Sequence, residues 1–145
     1  MIKKTQDTPD MIQYKKTVLA LVFRSGMEVP DGVRFFTPPD NPFQVGMHHR
    51  TKGTKLSPHI HRIDHPLTID VIQELLVVIS GKIQVTVFAT DETHVSTVVL
   101  STGDSILLMG GGHSVEFIET TQLFELKQGP YAGSKNAKIY FQPNP

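Results

Sequence analysis

The feature that most constrains the fold of this chain is a series of short, β-branched runs between residues 71 and 128, most of them ended by turn-forming residues. Ser80-Gly81 and Gly110-Gly111-Gly112 are examples of these turns. Strands this short and evenly spaced predict an all-β sandwich or barrel. The predicted strands are Val71–Ile79, Ile83–Ala89, His94–Leu100, Ser105–Met109, His113–Ile118 and Gln122–Gln128.

The polarity of three runs predicts how they are buried. Residues Ile83–Ala89 alternate between apolar and polar side chains, which is typical of a strand with one buried face. Val71–Ile79 is apolar at both alternating sets of positions, so we expect it to be covered on both faces. Thr17–Phe23 is apolar but too short to span a membrane, and we interpret it as a further buried strand.

The remaining segments carry weaker signals. Asp7–Tyr14 is compatible with one helical turn that has Pro9 at its first position. Val45–Arg50 and Lys138–Gln142 favour strands, the second of them closing the chain. Two segments are predicted to be loops: residues 27–43, which hold four of the ten prolines, and residues 129–137.

Composition excludes several classes of function. The 145 residues fit one domain, in which 1–43 form an N-terminal extension with the first strands, 44–128 the core, and 129–145 a closing loop and strand. Fourteen basic residues balance fourteen acidic ones, so bulk charge favours neither nucleic acid nor an anionic membrane. The absence of cysteine excludes disulfides, thiolate metal sites and a thiol nucleophile, and it fits a cytoplasmic location. We see no targeting segment.

Histidine is concentrated in one part of the chain, because five of the seven histidines fall between positions 48 and 65. The sequence Pro58-His59-Ile60-His61 is the sharpest element. On a strand, residues i and i+2 point to the same face, so His59 and His61 would present two imidazoles side by side as half of a metal site. Histidines at a surface or in a core are the structural alternative.

Longer motifs surround this histidine pair. The chain reads GTKLSPHIH from Gly53 to His61, then ELLVVISG from Glu74 to Gly81, then GDSILLMGGGH ending at His113. From residue 46 to residue 128 it resembles the cupin family, whose first motif places HxH before a glutamate and a glycine and whose second motif ends in a histidine. Twelve residues separate His61 from Glu74 where that family has three or four, and Met109 stands where proline is usual.

The resemblance implies a fold and a site. The fold is a double-stranded β-helix, or jelly-roll, cupin barrel. In metal-binding cupins, three histidines and one glutamate from these motifs converge inside the barrel, and the matching residues here are His59, His61, Glu74 and His113. A divalent transition metal is implied, with iron, manganese, nickel and zinc left open. The alternative is that these are hydrogen-bonded polar residues at a barrel mouth.

Five other residues are weaker candidates for a substrate pocket. His48 and His49 would point to opposite faces of a strand, so at most one of them lines a cavity, and Arg50 is able to hold an anionic group. Glu125 and Lys127 share a strand face and form either part of a pocket or a solvated surface.

For three further residues, the local sequence alone indicates a role or a location. Tyr131 follows Gly129-Pro130 and, with Glu74, is a candidate acid–base residue. We expect His65 and His94 to be exposed.

Three functions stay open at this point. The first is a metal-dependent enzyme acting on a small polar, sugar-related molecule. The second is a metal-independent nucleotide-sugar isomerase or epimerase, with a histidine base and a tyrosine acid. The third is a non-catalytic protein that binds a small ligand or carbohydrate. A homodimer is also predicted, with Thr17–Arg24 adding a strand to a neighbour's sheet.

Overall fold

The computed structural model describes residues 6–64, 66 and 68–143. Within these residues the chain forms ten strands and one short helix, and no helix is long and apolar enough to cross a membrane. The elements are β1 (Asp10–Tyr14), β2 (Thr17–Phe23), β3 (Gly32–Phe35), β4 (Gly46–His49), β5 (Glu74–Ser80), β6 (Lys82–Phe88), β7 (His94–Ser101), β8 (Ser105–Leu108), β9 (Gly112–Phe117), β10 (Gln122–Lys127) and α1 (Ser134–Ala137).

The strands form three antiparallel sheets. One has five strands in the order β1-β2-β8-β5-β10, one has three in the order β7-β6-β9, and β3 and β4 form a two-stranded ribbon. The two larger sheets contribute to a single apolar cluster and therefore pack face to face. This arrangement confirms the prediction of an all-β fold. The buried side chains at the centre are Val22, Leu76, Val78 and Ile106 from the five-stranded sheet and Ile83, Val85, Val87 and Leu100 from the other.

The alternation of β6 accounts for the way the three-stranded sheet faces the core. Ile83, Val85 and Val87 are fully buried, whereas the intervening polar side chains of β6 are half-buried. Each buried aliphatic side chain stabilises the fold by about 1.5–3 kcal/mol relative to an exposed one. The predicted orientation of this strand is therefore confirmed.

The five-stranded sheet is covered on its second face as well. Leu21, Phe23 and Leu107 form a separate apolar cluster there, and Leu75 and Met47 pack against it. The ribbon and the segment before β4 supply this cover. The expectation that residues 71–79 are covered on both faces holds only in part. β5 begins at Glu74 rather than at residue 71, and Leu75 packs beneath the ribbon, but Ile79 is 53% exposed.

Several local predictions were wrong. The segment predicted as a helical turn instead forms β1, because pairing with β2 buries Ile12 and overrides the local Pro9 signal. The Pro-rich stretch 27–43 contains β3, which is paired with β4. The predicted closing strand at 138–142 does not form, and α1 lies within the predicted loop 129–137.

The strand proposed for dimer contacts has no free edge. β2 pairs with β1 on one side and with β8 on the other, so residues 17–24 are unable to extend a neighbour's sheet as predicted. Within the described residues, the outermost strands of the two larger sheets are β1, β10, β7 and β9.

Side-chain hydrogen bonds join the two larger sheets along one side of the sandwich. The Arg24 guanidinium donates a hydrogen bond of 2.8 Å to the Val99 carbonyl, and the hydroxyl of Tyr14 lies 3.3 Å from a carboxylate oxygen of Asp91. These contacts join β1 and β2 to the β7 side of the smaller sheet. β9 and β10 are the outermost strands on the opposite side, and no strand pairing joins them in the described part of the chain.

A buried carboxylate fixes the turn before β8. Asp104 accepts hydrogen bonds from the backbone N–H groups of Ser25 at 2.9 Å and Ser101 at 3.0 Å. It also receives the Arg24 guanidinium at 3.3 Å. Residues 24–25 and the end of β7 therefore both depend on one side chain.

We expect Asp104→Ala to destabilise the protein by about 2–4 kcal/mol, because two backbone donors and one guanidinium lose a buried acceptor. Urea unfolding followed by circular dichroism measures this loss. Asp40→Ala, at an exposed position, is the matched control and should change stability by less than about 0.5 kcal/mol. Equal effects of the two substitutions would contradict this role for Asp104.

Candidate functional site

Glu74 and His113 meet at one end of the sandwich. Glu74 opens β5 and lies opposite Leu108, while His113 lies near the start of β9 opposite Val87. Opposed residues in antiparallel strands share a face, so both side chains lie on the core side of their sheets. The Oε2 atom of Glu74 and the Nε2 atom of His113 are 3.3 Å apart. This contact joins the start of β5 to the start of β9.

Two residues of β10 extend this contact into a cluster. Lys127 lies opposite Glu74, and Glu125 lies opposite Leu76, so both share the core face. The Lys127 ammonium donates a hydrogen bond to Glu125. We call Glu74, His113, Glu125 and Lys127 the mouth cluster. The side chain of Glu74 is only 16% exposed, whereas the other three are a third or more exposed.

The charges of the mouth cluster support one another. The hydrogen bond from His113 lowers the pKa of Glu74 below its ordinary value, against the opposing effect of burial, and the positive charge of Lys127 lowers it further. The hydrogen bond to Glu125 raises the pKa of Lys127. At neutral pH the cluster therefore contains a carboxylate at Glu74 and an ammonium at Lys127.

A network of side-chain amides lies directly behind Glu74, and sequence reasoning missed it. Buried Gln73 exchanges two hydrogen bonds of 2.9 Å with Asn41, amide to amide. Its backbone N–H donates to the Gln128 side-chain oxygen at 2.7 Å, and the Nε2 atom of Gln128 is buried without a partner. These amides fix the point at which β5 begins and so position Glu74. The only available signal was the location of Gln73 beside a buried strand.

The histidine pair lies elsewhere. Residues 50–73 contain no strand in their described part, so the prediction that His59 and His61 alternate along a strand was wrong. The two rings are nevertheless neighbours, with centroids 5.0 Å apart, and Nδ1 of His59 lies 2.8 Å from the Ser57 carbonyl. Both side chains are exposed. The imidazoles are adjacent because of local loop geometry rather than the pleat of a sheet.

The four residues predicted to bind metal therefore form two pairs. Glu74 contacts His113, and His59 stacks edge-on against His61. Across residues 6–64, 66 and 68–143, no three His, Asp or Glu side chains are grouped so that they could hold a metal ion. The three nitrogens and one carboxylate suit a transition metal in type, but this arrangement does not fit one.

The other predicted pocket residues are spread over the surface. His48 and His49 lie in β4 and Arg50 follows it, in the ribbon that covers the second face of the five-stranded sheet. All three are exposed. His94 is exposed as predicted, with its Nε2 atom 3.0 Å from the Thr97 hydroxyl. His65 lies outside the described residues.

Tyr131 follows Lys127, the last residue of β10, by four residues in the chain. The side chain is 68% exposed. It is therefore available to a ligand at this end of the sandwich.

The segment that follows β10 packs against the start of β9 through Phe141. Phe141 packs edge-on against Phe88, with ring centroids 5.3 Å apart, and lies against Gly112. A Cβ atom on Gly112 would come within 2.9 Å of the Phe141 ring, so only glycine leaves room for it. This contact is adjacent in sequence to His113 and fixes the chain beside the mouth cluster.

An apolar pocket lies on the other side of β5. It has a volume of about 250 Å³ and is lined by Phe43, Gln44, Val45, Gly46, Leu75 and Leu126. Leu75 and Leu126 point away from the core face that carries Glu74. The pocket contains no titratable side chain, so we place the chemistry at the mouth cluster instead.

Comparisons with known proteins return no match. No family model matches the chain, and no match was found among curated proteins or among solved structures.

We expect Glu74→Gln to lower stability by about 1–2 kcal/mol at neutral pH, because the charged acceptor for His113 is lost. The folded state lowers the pKa of Glu74 from its ordinary 4.5, so its contribution is present above that pH and is lost as the pH falls through the lower, folded value. Urea unfolding of both proteins across this range measures the difference. The exposed Glu28→Gln is the control. A difference that grows on acidification would refute this account.

Proposed function

We propose that the mouth cluster is the working site of a small cupin-type protein that binds a small polar, sugar-related ligand and moves a proton on it. The observation that carries the proposal is the contact of 3.3 Å between Glu74 and His113 on the core face of the sandwich. A partly buried carboxylate beside an imidazole is the arrangement that orients a general base. The two packed sheets support the jelly-roll form of the fold.

The contact with Glu74 supports a separate role for each of the two ring nitrogens of His113. Nε2 faces the Glu74 carboxylate and carries the proton that this carboxylate accepts. Nδ1 then holds the free lone pair and is the atom that takes a proton from a ligand. Glu74 also stabilises the imidazolium that forms after the transfer.

The neighbouring groups favour a polar ligand. Lys127 is able to donate to a phosphate or hydroxyl oxygen, and Glu125 is able to accept from a hydroxyl. Tyr131 is exposed, follows β10 by four residues, and is the candidate proton donor. A base, an acid and hydrogen-bonding groups of both kinds correspond to an isomerase or epimerase acting on a hydroxylated, sugar-related molecule.

A metal-binding cupin is the second candidate. His59 and His61 offer two neighbouring imidazoles, and Glu74 with His113 would supply the other half of the ligand set. Iron, manganese, nickel or zinc would suit these donors. Metal binding at all four residues requires the exposed loop that carries His59 and His61 to fold over the mouth cluster.

The cellular context is part of the proposal. The neutral net charge supports a small molecule, rather than nucleic acid or a membrane surface, as the partner. The absence of cysteine supports a cytoplasmic location.

We expect the protein to exchange a carbon-bound proton of a bound nucleotide sugar or free sugar with D₂O, as seen by NMR over a panel of such compounds. His113→Gln should slow the exchange by about 10²–10⁴-fold, because the general base is lost. His94→Gln, which changes an exposed histidine of β7, is the matched control and should leave the rate unchanged. Full exchange by His113→Gln would refute the base assignment, and binding without exchange would favour the non-catalytic alternative.

Elemental analysis of untagged protein tests the second candidate. If the second candidate is correct, reconstitution with Fe(II), Mn(II), Ni(II) or Zn(II) will load one equivalent of metal, and His59→Ala and His61→Ala will each weaken binding by at least about tenfold. His94→Ala is the control. Less than about a tenth of an equivalent would exclude the metal site. Proton exchange that persists in His59→Ala would support the acid–base site without the metal.

A further inference from the structure

β10 is an edge strand with an unpaired side. The backbone of Val78 bonds towards the β8 side, since its N–H donates to the Asp104 carbonyl and its C=O accepts from Gly103. Because backbone groups alternate along a strand, Leu75 and Val77 bond towards β10. Their partners there, Leu126 and Phe124, therefore direct their own N–H and C=O groups back to β5.

The remaining residues of β10 face outward with their backbones. Glu125 and Lys127 direct their N–H and C=O groups to the free edge, and no other strand of the described chain pairs with that edge. An edge of this kind is a template for another strand. Exposed apolar side chains accompany it, with Phe124 55% and Leu126 48% exposed on the outer face.

We propose that this edge binds the same edge of a second copy of the chain, so that two five-stranded sheets become one continuous sheet across a two-fold axis. In such an antiparallel pair, directly opposed residues share a face. The axis must therefore pass beside a residue that lies opposite its own copy. Four registers pair at least half of the six residues of β10 with the second copy, and they are centred on Leu123, Phe124, Glu125 or Leu126.

Charge selects among these registers. Centring on Glu125 sets two carboxylates directly opposite each other, which destabilises a strand pair. Centring on Phe124 sets Glu125 opposite the apolar Leu123. Centring on Leu126 sets Glu125 opposite Lys127 of the second copy, and the two-fold axis repeats this pair. Centring on Leu123 leaves Glu125 and Lys127 outside the paired residues, so only the register centred on Leu126 pairs opposite charges within β10.

The same register also pairs the free backbone groups of β10 and brings exposed apolar side chains together. Glu125 and Lys127 are the residues whose backbone groups face the free edge, so their opposed pairs make four N–H···O bonds across the axis. The two Leu126 side chains meet on the outer face, next to the pocket of about 250 Å³ that Leu126 lines with Phe43 and Val45. The dimer therefore covers Leu126, which the single chain leaves 48% exposed.

The dimer also completes the mouth cluster. Glu125 and Lys127 belong to that cluster, and the register adds the same two residues of the second copy in alternating charge order. Each site thus gains a lysine and a glutamate from the other chain. The inference itself rests on the β10 edge and is independent of the proposed function.

Cysteine cross-linking tests the register, because the chain contains no cysteine of its own. In the register centred on Leu126, the two copies of that residue form a pair whose Cα atoms lie about 4.5 Å apart, within the usual range for a disulfide. We expect Leu126→Cys to form a covalent dimer as the main product of mild oxidation. Phe124→Cys, on the same face and similarly exposed, is the matched control and should stay uncross-linked.

Other cross-linking outcomes overturn the assignment. Cross-linking of Phe124→Cys or Glu125→Cys in preference to Leu126→Cys would establish a different register. Equal cross-linking of all three would indicate random collision rather than a specific dimer. Circular dichroism of each variant checks that its fold is retained.

Sedimentation velocity at micromolar concentration gives a second test without cysteine. The wild-type chain should sediment at twice its 16.1 kDa mass. Glu125→Lys and Lys127→Glu should each raise the dissociation constant by about tenfold or more, since both place like charges across the axis, and the double exchange should restore it. Lys138→Glu, a charge reversal at an exposed position outside β10, is the control. A wild-type monomer, or single variants that dimerise normally, would overturn the proposal.

Discussion

The burial of β5 on both faces is the constraint from which the site follows. Leu76 and Val78 are fully buried in the core between the two large sheets, while Leu75 packs into the cluster beneath the ribbon. Because side chains alternate along a strand, a slip of one residue would exchange these two environments. That register also directs Glu74 to the core face. The position of the carboxylate is thus fixed by the packing of its neighbours rather than by its own interactions.

A carboxylate at the edge of a core needs compensation, and the structure supplies it from strands that are distant in sequence. His113 lies in β9 opposite the buried Val87, and Lys127 lies in β10 opposite Glu74 itself. Without these partners, burial would favour the protonated form of Glu74. The mouth cluster is therefore a product of the whole sandwich, and no local segment contains it.

The sequence predicts the elements whose local pattern and tertiary role agree. Residues 17–23 form β2 as predicted, and β6 follows the alternation of Ile83 to Val87. Prediction failed where pairing decides the structure: Ile12 lies in a strand because β2 is beside it, and β3 forms in a Pro-rich stretch because β4 pairs with it. For such segments, local propensity is weaker than the energy of pairing and burial.

The candidate site also contains features that the sequence predicts and features that depend on distant contacts. Spacing alone indicated that His59 and His61 are neighbours, but their relation to Glu74 depends on the path of residues 50–73, which no periodic pattern specifies. The relation between Glu74 and His113 follows from two strand registers and is correspondingly well defined. The amides of Gln73 and Asn41 gave no recognisable motif, because a hydrogen bond between distant loops leaves no periodic trace.

The strand order of the five-stranded sheet has a consequence for the time course of folding. β8 has four residues, yet it alone connects β2 to β5, and most of the chain separates β2 from β8 in sequence. The sheet is therefore unable to assemble by successive hairpins, and a large loop must close before β2 gains its second partner. Topologies with such distant contacts fold slowly. Until that closure, the apolar edges of β2 and β5 stay open to pairing with other chains, so aggregation during synthesis competes with folding most strongly at this step.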